Sequence, residues 1–352
     1  MLKTEHRIRF GDARSIDFLE DESVDLVVTS PPYPMIGMWD EQYRQMSPSI
    51  AAAWGNREGS ILFDLMHAEL DRVWTGLCRV LREGGTVCIN IGDATRSIGG
   101  RFGLYPNHAR VLMKCIDLGF HALPLILWRK PTNAPNKFMG SGMLPVGAYV
   151  TLEHEYIIIL RKGGLRRFGT EDERLNRARS ALFWEERNCW YSDIWKMAGV
   201  RQRLDGSTER GRSAAFPFEL AYRIINMYSV KGECVFDPFL GTGTTLFAAM
   251  ASCRNSIGLE LDRSFLESIL ARVDTAVEEL NSYLSTRLEA HMHFVEDYEK
   301  RKKALRHRNV HYGFPVMTRQ ERELLLNFLK EIRIVGSGHL RAAYREDASA
   351  IP

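Results

Sequence analysis

Two short stretches hold the residue types from which a group-transfer site is built. The first is Ser30-Pro31-Pro32-Tyr33, directly after the valine-rich run VDLVVT at 24–29. A serine hydroxyl and a prolyl carbonyl are both hydrogen-bond acceptors. The prolines lack N–H groups and fix φ, so the Pro31 carbonyl is aimed without being drawn into a sheet ladder. The stiff corner reads as preorganisation of these two acceptors. Tyr33 adds a flat aromatic face beside them.

The second stretch is Asp237-Pro238-Phe239-Leu240-Gly241-Thr242-Gly243-Thr244-Thr245, set between a strand-like CVF and a helical pattern from Leu246. Glycines let backbone approach a ligand closely, and a helix N-terminus offers free N–H groups. Gly243 is followed by Thr244 and not Lys, which argues against a nucleotide-hydrolysing P-loop, and Leu246 stands where a dinucleotide fingerprint needs a third glycine. Asp237 suits a ligand with an ammonium group. The next strand ends at Glu260, with Leu261 beside it, where a carboxylate chelates the two hydroxyls of a ribose. A nucleoside with an amino-acid tail satisfies both ends; a tight turn with a solvated Glu260 is the competing reading.

The elements that must position these residues alternate between strand and helix: HRIRF, VDLVVTS, a helix over 61–81 with Leu62, Leu65, Met66, Leu70, Val73, Leu77 and Val80 at 3.6 spacing, GTVCINIGD, a helix near 106–118, HALPLILW and a strand over 155–160. A second series follows, with a helix over 218–228, CVF, the glycine loop, a helix over 246–253, a strand over 256–261 and a long helix running towards Arg306. Alternation of this kind predicts a mostly parallel sheet. Thr318 and Glu321 form a capping-box pattern that predicts a last helix over 321–332.

The chain has 352 residues, 45% hydrophobic content and a net charge of +3, enough for a proper core but without a strong bias towards a polyanion. The opening MLKTEHRIRF is too charged for a signal peptide and the apolar runs are too short to span a bilayer, so a cytoplasmic protein is expected. Six scattered cysteines without a CxxC pair read as reduced thiols, with no zinc site.

SPPY resembles the catalytic motif of the DNA amino-methyltransferases, and DPFLGTGTT resembles their S-adenosylmethionine loop. The order, catalytic motif first and cofactor loop late, is similar to the β class of that family over roughly residues 6–275. Gly11-Asp12 resembles the amino-terminal cofactor contact, which implies Asp12 and the adjacent Ala13 as cofactor-binding residues, Phe216-Pro217 resembles the motif preceding the cofactor loop, and His154-Glu155-Tyr156 a late strand of the catalytic half. Arg212-Ser213 departs from the His-Pro that many members carry there. The resemblance implies an α/β, Rossmann-like methyltransferase fold, a mostly parallel sheet with helices on both faces, and site-specific methylation of double-stranded DNA from S-adenosylmethionine by base flipping. Serine at position 30 resembles the cytosine-N4 enzymes, and adenine-N6 is the alternative. No Pro-Cys pair is present, so ring-carbon methylation lacks its usual nucleophile.

Four segments follow: a catalytic half (1–160), a target-recognition region (161–212), a cofactor half (213–275) and a helical carboxy-terminal extension (276–352) that permits a homodimer. A restriction endonuclease is an expected partner. Among the arginines with interleaved aromatics over 161–212, Arg166, Arg167, Arg174, Arg201 and Arg203 are expected DNA contacts, with Lys137 in the loop 130–142; a solvated surface excursion is the competing reading. The insert 35–60 reads as a lid, a second DNA loop or a packed flap. The cluster from Lys300 to Arg308 reads as a phosphate-binding patch or a solvated helix face. His154-Glu155 lacks the second histidine of a zinc helix and is expected to be structural, as His67 is expected to be a surface or packing residue.

Overall fold

The computed structural model describes residues 2–130, 139–140, 144–199, 216–302 and 304–346. The first part of the chain contains strands β1 (Lys3–Phe10), β2 (Val24–Thr29) and β3 (Leu81–Ile91), a hairpin of β4 (Ala94–Ile98) and β5 (Arg101–Tyr105), β6 (Phe120–Arg129), the short pair β7 (Met139–Gly140) and β8 (Ala148–Tyr149), and β9 (His154–Lys162). Its helices are α1 (Asp40–Met46), α2 (Pro48–Asn56), α3 (Gly59–Val80) and α4 (Asn107–Asp117). Helices α5 (Glu171–Arg179) and α6 (Trp184–Trp190) and strand β10 (Ile194–Lys196) follow. The second βα series runs α7 (Phe218–Tyr228), β11 (Cys234–Asp237), α8 (Thr244–Ala251), β12 (Asn255–Glu260) and α9 (Phe265–Arg301). The chain ends with the small pair β13 (His307–Arg308) and β14 (Pro315–Val316), then β15 (Leu329–Gly336) and β16 (His339–Tyr344).

Among the described residues the central sheet has the order β10-β6-β9-β3-β2-β11-β12-β1-β16-β15. Strands β1, β12, β11, β2 and β3 are parallel neighbours. Strand β9 opposes β3 and β6 opposes β9, which returns β6 and β10 to the common direction. The loops after β1, β2, β3, β11 and β12 therefore all emerge at one edge, the carboxyl edge. Because β9 runs the other way, its first residues, His154 and Glu155, start at that same edge.

Period-two alternation assigns the core. Along β2, Leu26 and Val28 face a cluster built on α7, α8 and α9, whereas Val27 faces one built on α3 and α4; Val24 joins the second cluster because a bulge between Val24 and Leu26 breaks the alternation. Helix α3 buries Leu62, Met66, Leu70, Val73, Leu77 and Val80, the stripe its sequence shows. Helix α8 is buried from Thr245 to Ala251, and its small alanines let it lie close to the sheet. Both faces are thus covered by helices, the arrangement a largely parallel sheet requires. No helix among the described residues is long and apolar enough to cross a membrane.

The expected last helix is not formed. Glu321 accepts hydrogen bonds from Thr318 N (2.6 Å) and Oγ1 (2.7 Å), yet only a 3-10 turn at Arg319–Glu321 follows. Residues 329–344 instead form an antiparallel hairpin, and β16 pairs with β1. The physical reason is the sheet edge: β1 would otherwise expose a row of unpaired backbone groups, which a local capping signal cannot outweigh. The extension is therefore helical only as far as Arg301, and its end is part of the main sheet. Tyr344 locks it in place, fully buried, with its hydroxyl 2.8 Å from both Thr4 Oγ1 and the Met250 carbonyl. Tyr344→Ala should cost about 3–5 kcal/mol, read as a lower denaturation midpoint in urea; a surface-like loss of a few tenths would show that the hairpin is dispensable.

Candidate active site

The run 24–29 is buried at every position, and β2 carries it between β3 and β11, so its end delivers Ser30 to the middle of the carboxyl edge. The ladder stops where the prolines begin. Backbone carbonyls freed at this corner are satisfied by side chains from elsewhere. Tyr43 Oη donates to the Pro32 carbonyl at 2.7 Å, and Asn107 Nδ2 donates to the carbonyls of Pro34 (3.0 Å) and Gly92 (2.9 Å). His67 Nε2 lies 3.0 Å from Asn107 Oδ1, and since that oxygen only accepts, the ring donates. Burial pushes the His67 pKa down to about 3, so the imidazole is neutral and serves as packing. Met35, just past the corner, holds a left-handed φ of 65°, a local strain the surrounding packing imposes.

Tyr43 belongs to the insert 35–60. That insert is a packed flap, with Met35, Tyr43, Ile50 and Ala53 forming a small core with Leu62, Met66 and Ala94. Through Tyr43 it braces the corner.

Strand β11 lies directly beside β2, with Val235 opposite Leu26 and Phe236 opposite Val27. The glycine loop therefore opens next to Ser30. Gly241 (φ 54°) and Gly243 (φ 81°) take the conformation that glycine adopts without penalty. A Cβ on Gly241 would meet nothing within 4 Å, so the loop borders open space, whereas one on Gly258 would sit 2.5 Å from the Leu240 side chain that pins the loop to β12. Thr244 begins α8 and Thr242 lies in the turn before it. Phe216 is buried and Pro217 caps α7, whose start also faces this edge.

Asp237, expected to meet an ammonium group, instead points inward, which corrects that expectation. It is 2% exposed, and its oxygens accept from Thr29 Oγ1 (2.7 Å), Phe239 N (3.0 Å) and Thr245 Oγ1 (2.7 Å). Burial pushes its pKa from 3.8 up to about 6, although the three donors pull the other way. Glu260 sits where it was expected: Oε2 accepts from Gly241 N at 2.7 Å, and Oε1 from Leu261 N and Asp262 N at 2.9 and 3.0 Å. Asp12 and the buried Ala13 follow β1 at the same edge, Asp12 accepting from Arg14 Nε at 2.9 Å.

Glu155, expected to be merely structural, belongs to the site. Its Oε2 accepts from Tyr33 Oη (2.9 Å) and Asn90 Nδ2 (2.7 Å), and Lys130 Nζ pairs with Oε1. Asn90 Nδ2 is also 2.8 Å from Tyr33 Oη, and Ser30 Oγ is 3.0 Å from that oxygen. An isolated asparagine in the apolar strand VCINI was the available signal, since a buried polar side chain needs a partner. Glu155 gave none until the direction of β9 was known.

The charge readings fare differently. Arg166 pairs with Glu233 and lies 3.9 Å from Asp25, where β2 and β11 begin, so it faces the opposite edge. Arg167 follows it in that turn, and Arg174 Nη1 donates to the Gly169 carbonyl at 2.7 Å. Arg166 is thereby corrected from an expected DNA contact to a support of the far edge, because β9 ends there, whereas Arg167 and Arg174 are exposed in the segment after it. Glu185 and Glu186 dock α6 on α9 through His291 and the buried Arg287. The basic cluster after Lys300 lies about 50 Å along α9 from the residue packed on Gly243, at 1.5 Å per residue. Lys137, Arg201 and Arg203 lie outside the described residues.

A family model described as DNA methylase, N6/N4 type, matches residues 24–271. The chain belongs to the N6/N4 family of DNA methylases. Type II methyltransferase M.MthZI of Methanothermobacter thermautotrophicus is 48% identical over 347 residues, 98% of this chain and 96% of that one, and M.MjaI of Methanocaldococcus jannaschii is 50% identical over 274 residues, 75% and 89% of the two chains. Among solved structures, TTHA0409 of Thermus thermophilus, described as a candidate DNA modification methylase and complexed with S-adenosyl-L-methionine, is 32% identical with a TM-score of 0.58 over 78% of this chain and 96% of that one. The cytosine-N4-specific PvuII DNA methyltransferase shares the fold at 17% identity, TM-score 0.54, over 80% and 93% of the two chains. This amino-methyltransferase is thus an S-adenosylmethionine-dependent enzyme of DNA, on a Rossmann-like fold.

The raised pKa of Asp237 makes a pH prediction. The folded chain keeps this proton to higher pH than the unfolded chain, so its contribution to stability falls as pH rises from about 4 to about 6. The stability difference between the parent and Asp237→Asn should decline by on the order of 2–3 kcal/mol across that window and be flat above it, measured by urea denaturation at a series of pH values.

Proposed function

We propose that this methylase modifies the exocyclic N4 amino group of cytosine in duplex DNA, at a specific sequence, as the protective partner of a restriction endonuclease. The observation that carries the target assignment is the neutral hydroxyl of Ser30 beside the Pro31 carbonyl at the mouth of the glycine-loop crevice; serine at this position resembles the cytosine-N4 enzymes. The Type II names of M.MthZI and M.MjaI support the restriction setting.

The residues present fit the cofactor. The loop amides and Glu260 suit a nucleoside ribose, Phe239 is a half-buried aromatic at its side, and the open space at Gly241 leaves room for a ligand. S-adenosylmethionine, when bound, supplies an electrophilic methyl carbon. Ser30 Oγ and the Pro31 carbonyl hold the two amino hydrogens of the extruded base, bending them from the ring plane so that the nitrogen lone pair is exposed. Tyr33 presents its ring as the stacking face, and the proline-stiffened corner keeps the acceptors from collapsing into the ladder. Base extrusion is needed because an amino group inside a duplex cannot reach the cofactor.

Incubation with unmethylated DNA and isotope-labelled cofactor, digestion to nucleosides and mass analysis should give N4-methyldeoxycytidine; N6-methyldeoxyadenosine would overturn the cytosine assignment. Ser30→Ala should slow single-turnover transfer by about 10²-fold or more with cofactor affinity unchanged. Glu260→Ala should do the converse and weaken cofactor binding in calorimetry.

A further inference from the structure

A serine hydroxyl has one proton to give and two lone pairs, so Ser30 accepts from a target amino group only while its own proton points elsewhere. The side chains around it decide that direction, an inference that rests on the amino-methylation reading above. Glu155 is an acceptor only, so the single proton of Tyr33 Oη goes to its Oε2, 2.9 Å away. Asn90 must turn Nδ2 and not Oδ1 towards this pair, because its amide meets the carboxylate at 2.7 Å and the phenol at 2.8 Å. With its proton committed, Tyr33 Oη meets Ser30 Oγ at 3.0 Å as an acceptor, and Ser30 is the donor.

Supporting groups keep the chain in this sense. Lys130 Nζ pairs with the second oxygen of Glu155 and stands 4.3 Å from the Trp128 ring centroid. Burial, and then the neighbouring Glu155 charge, push the Tyr33 pKa well above 10, so the phenol stays protonated. Gly92 gives the row its space, since a Cβ there would lie 3.1 Å from the Tyr33 ring and 3.2 Å from Glu155 Cγ.

We propose that Glu155 is a positioning residue that, acting through Tyr33, fixes Ser30 as a hydrogen-bond acceptor for the target amino group. Tyr33 then has two separable parts: a ring that stacks and a hydroxyl that orients. Without the carboxylate, the phenol is free to donate to Ser30 and occupy a lone pair that the substrate needs.

Tyr33→Phe keeps the ring and removes one oxygen. It should lower the single-turnover rate about tenfold or more, while the affinities for S-adenosylmethionine and for DNA, measured separately by calorimetry and fluorescence anisotropy, stay at the parent values. Glu155→Ala should show the same split, and the double variant should be no slower than the slower single, since both break one chain. Parent-like transfer by Tyr33→Phe, or losses that multiply in the double variant, would overturn the inference. Tyr33→Phe decides the matter alone if Glu155→Ala does not fold. If the parent transfers no methyl group to any DNA, the amino-methylation reading itself fails, an outcome distinct from a parent that works and a phenylalanine variant that works equally well.

Discussion

The hydrogen bond between Thr29 Oγ1 and Asp237 Oδ1, 2.7 Å long, joins the last residue of the catalytic strand to the last residue of the cofactor strand. It exists because β2 and β11 are adjacent and parallel, so two segments some two hundred residues apart in sequence end one strand spacing apart, about 4.8 Å. The acceptor pair and the glycine loop face one crevice for this reason alone. Burying a carboxylate at the junction is costly, and three donors offset that cost while fixing the start of the loop. Asp237 acts as the mortar between the two halves, and Glu260 is the more exposed acid at this edge.

Rigidity at the corner has several sources. Prolines remove two donors and fix two dihedrals, but the carbonyls around them would still need partners. Asn107 and Tyr43 supply those partners from α4 and α1, and His67 holds Asn107 in turn. The small hydrophobic core of the insert holds Tyr43 in that position. The acceptors at the corner are therefore held in place before any ligand arrives.

Charge follows a different logic from the one its pattern suggests. Arg166, within the arginine-rich stretch, and Arg287, on α9, neutralise acidic partners between elements. Buried pairs of this kind fix which helix docks where, whatever their net contribution to stability.

The SPPY corner, the glycine loop, the spacing to Glu260 and the alternation of strands and helices were all written locally, because backbone restriction by proline, close approach at glycine and side-chain periodicity act within a few residues. Four things depended on which chains lie side by side. The inward turn of Asp237 required Thr29, a residue of another strand. The role of Glu155 required β9 to run against its neighbours, and the carboxy-terminal hairpin required an open edge at β1. The direction of the Ser30 proton required Tyr33, Asn90 and Glu155 to meet across three strands. Sheet order and strand direction are non-local quantities, set by how whole faces are buried, and no short window of the chain contains them.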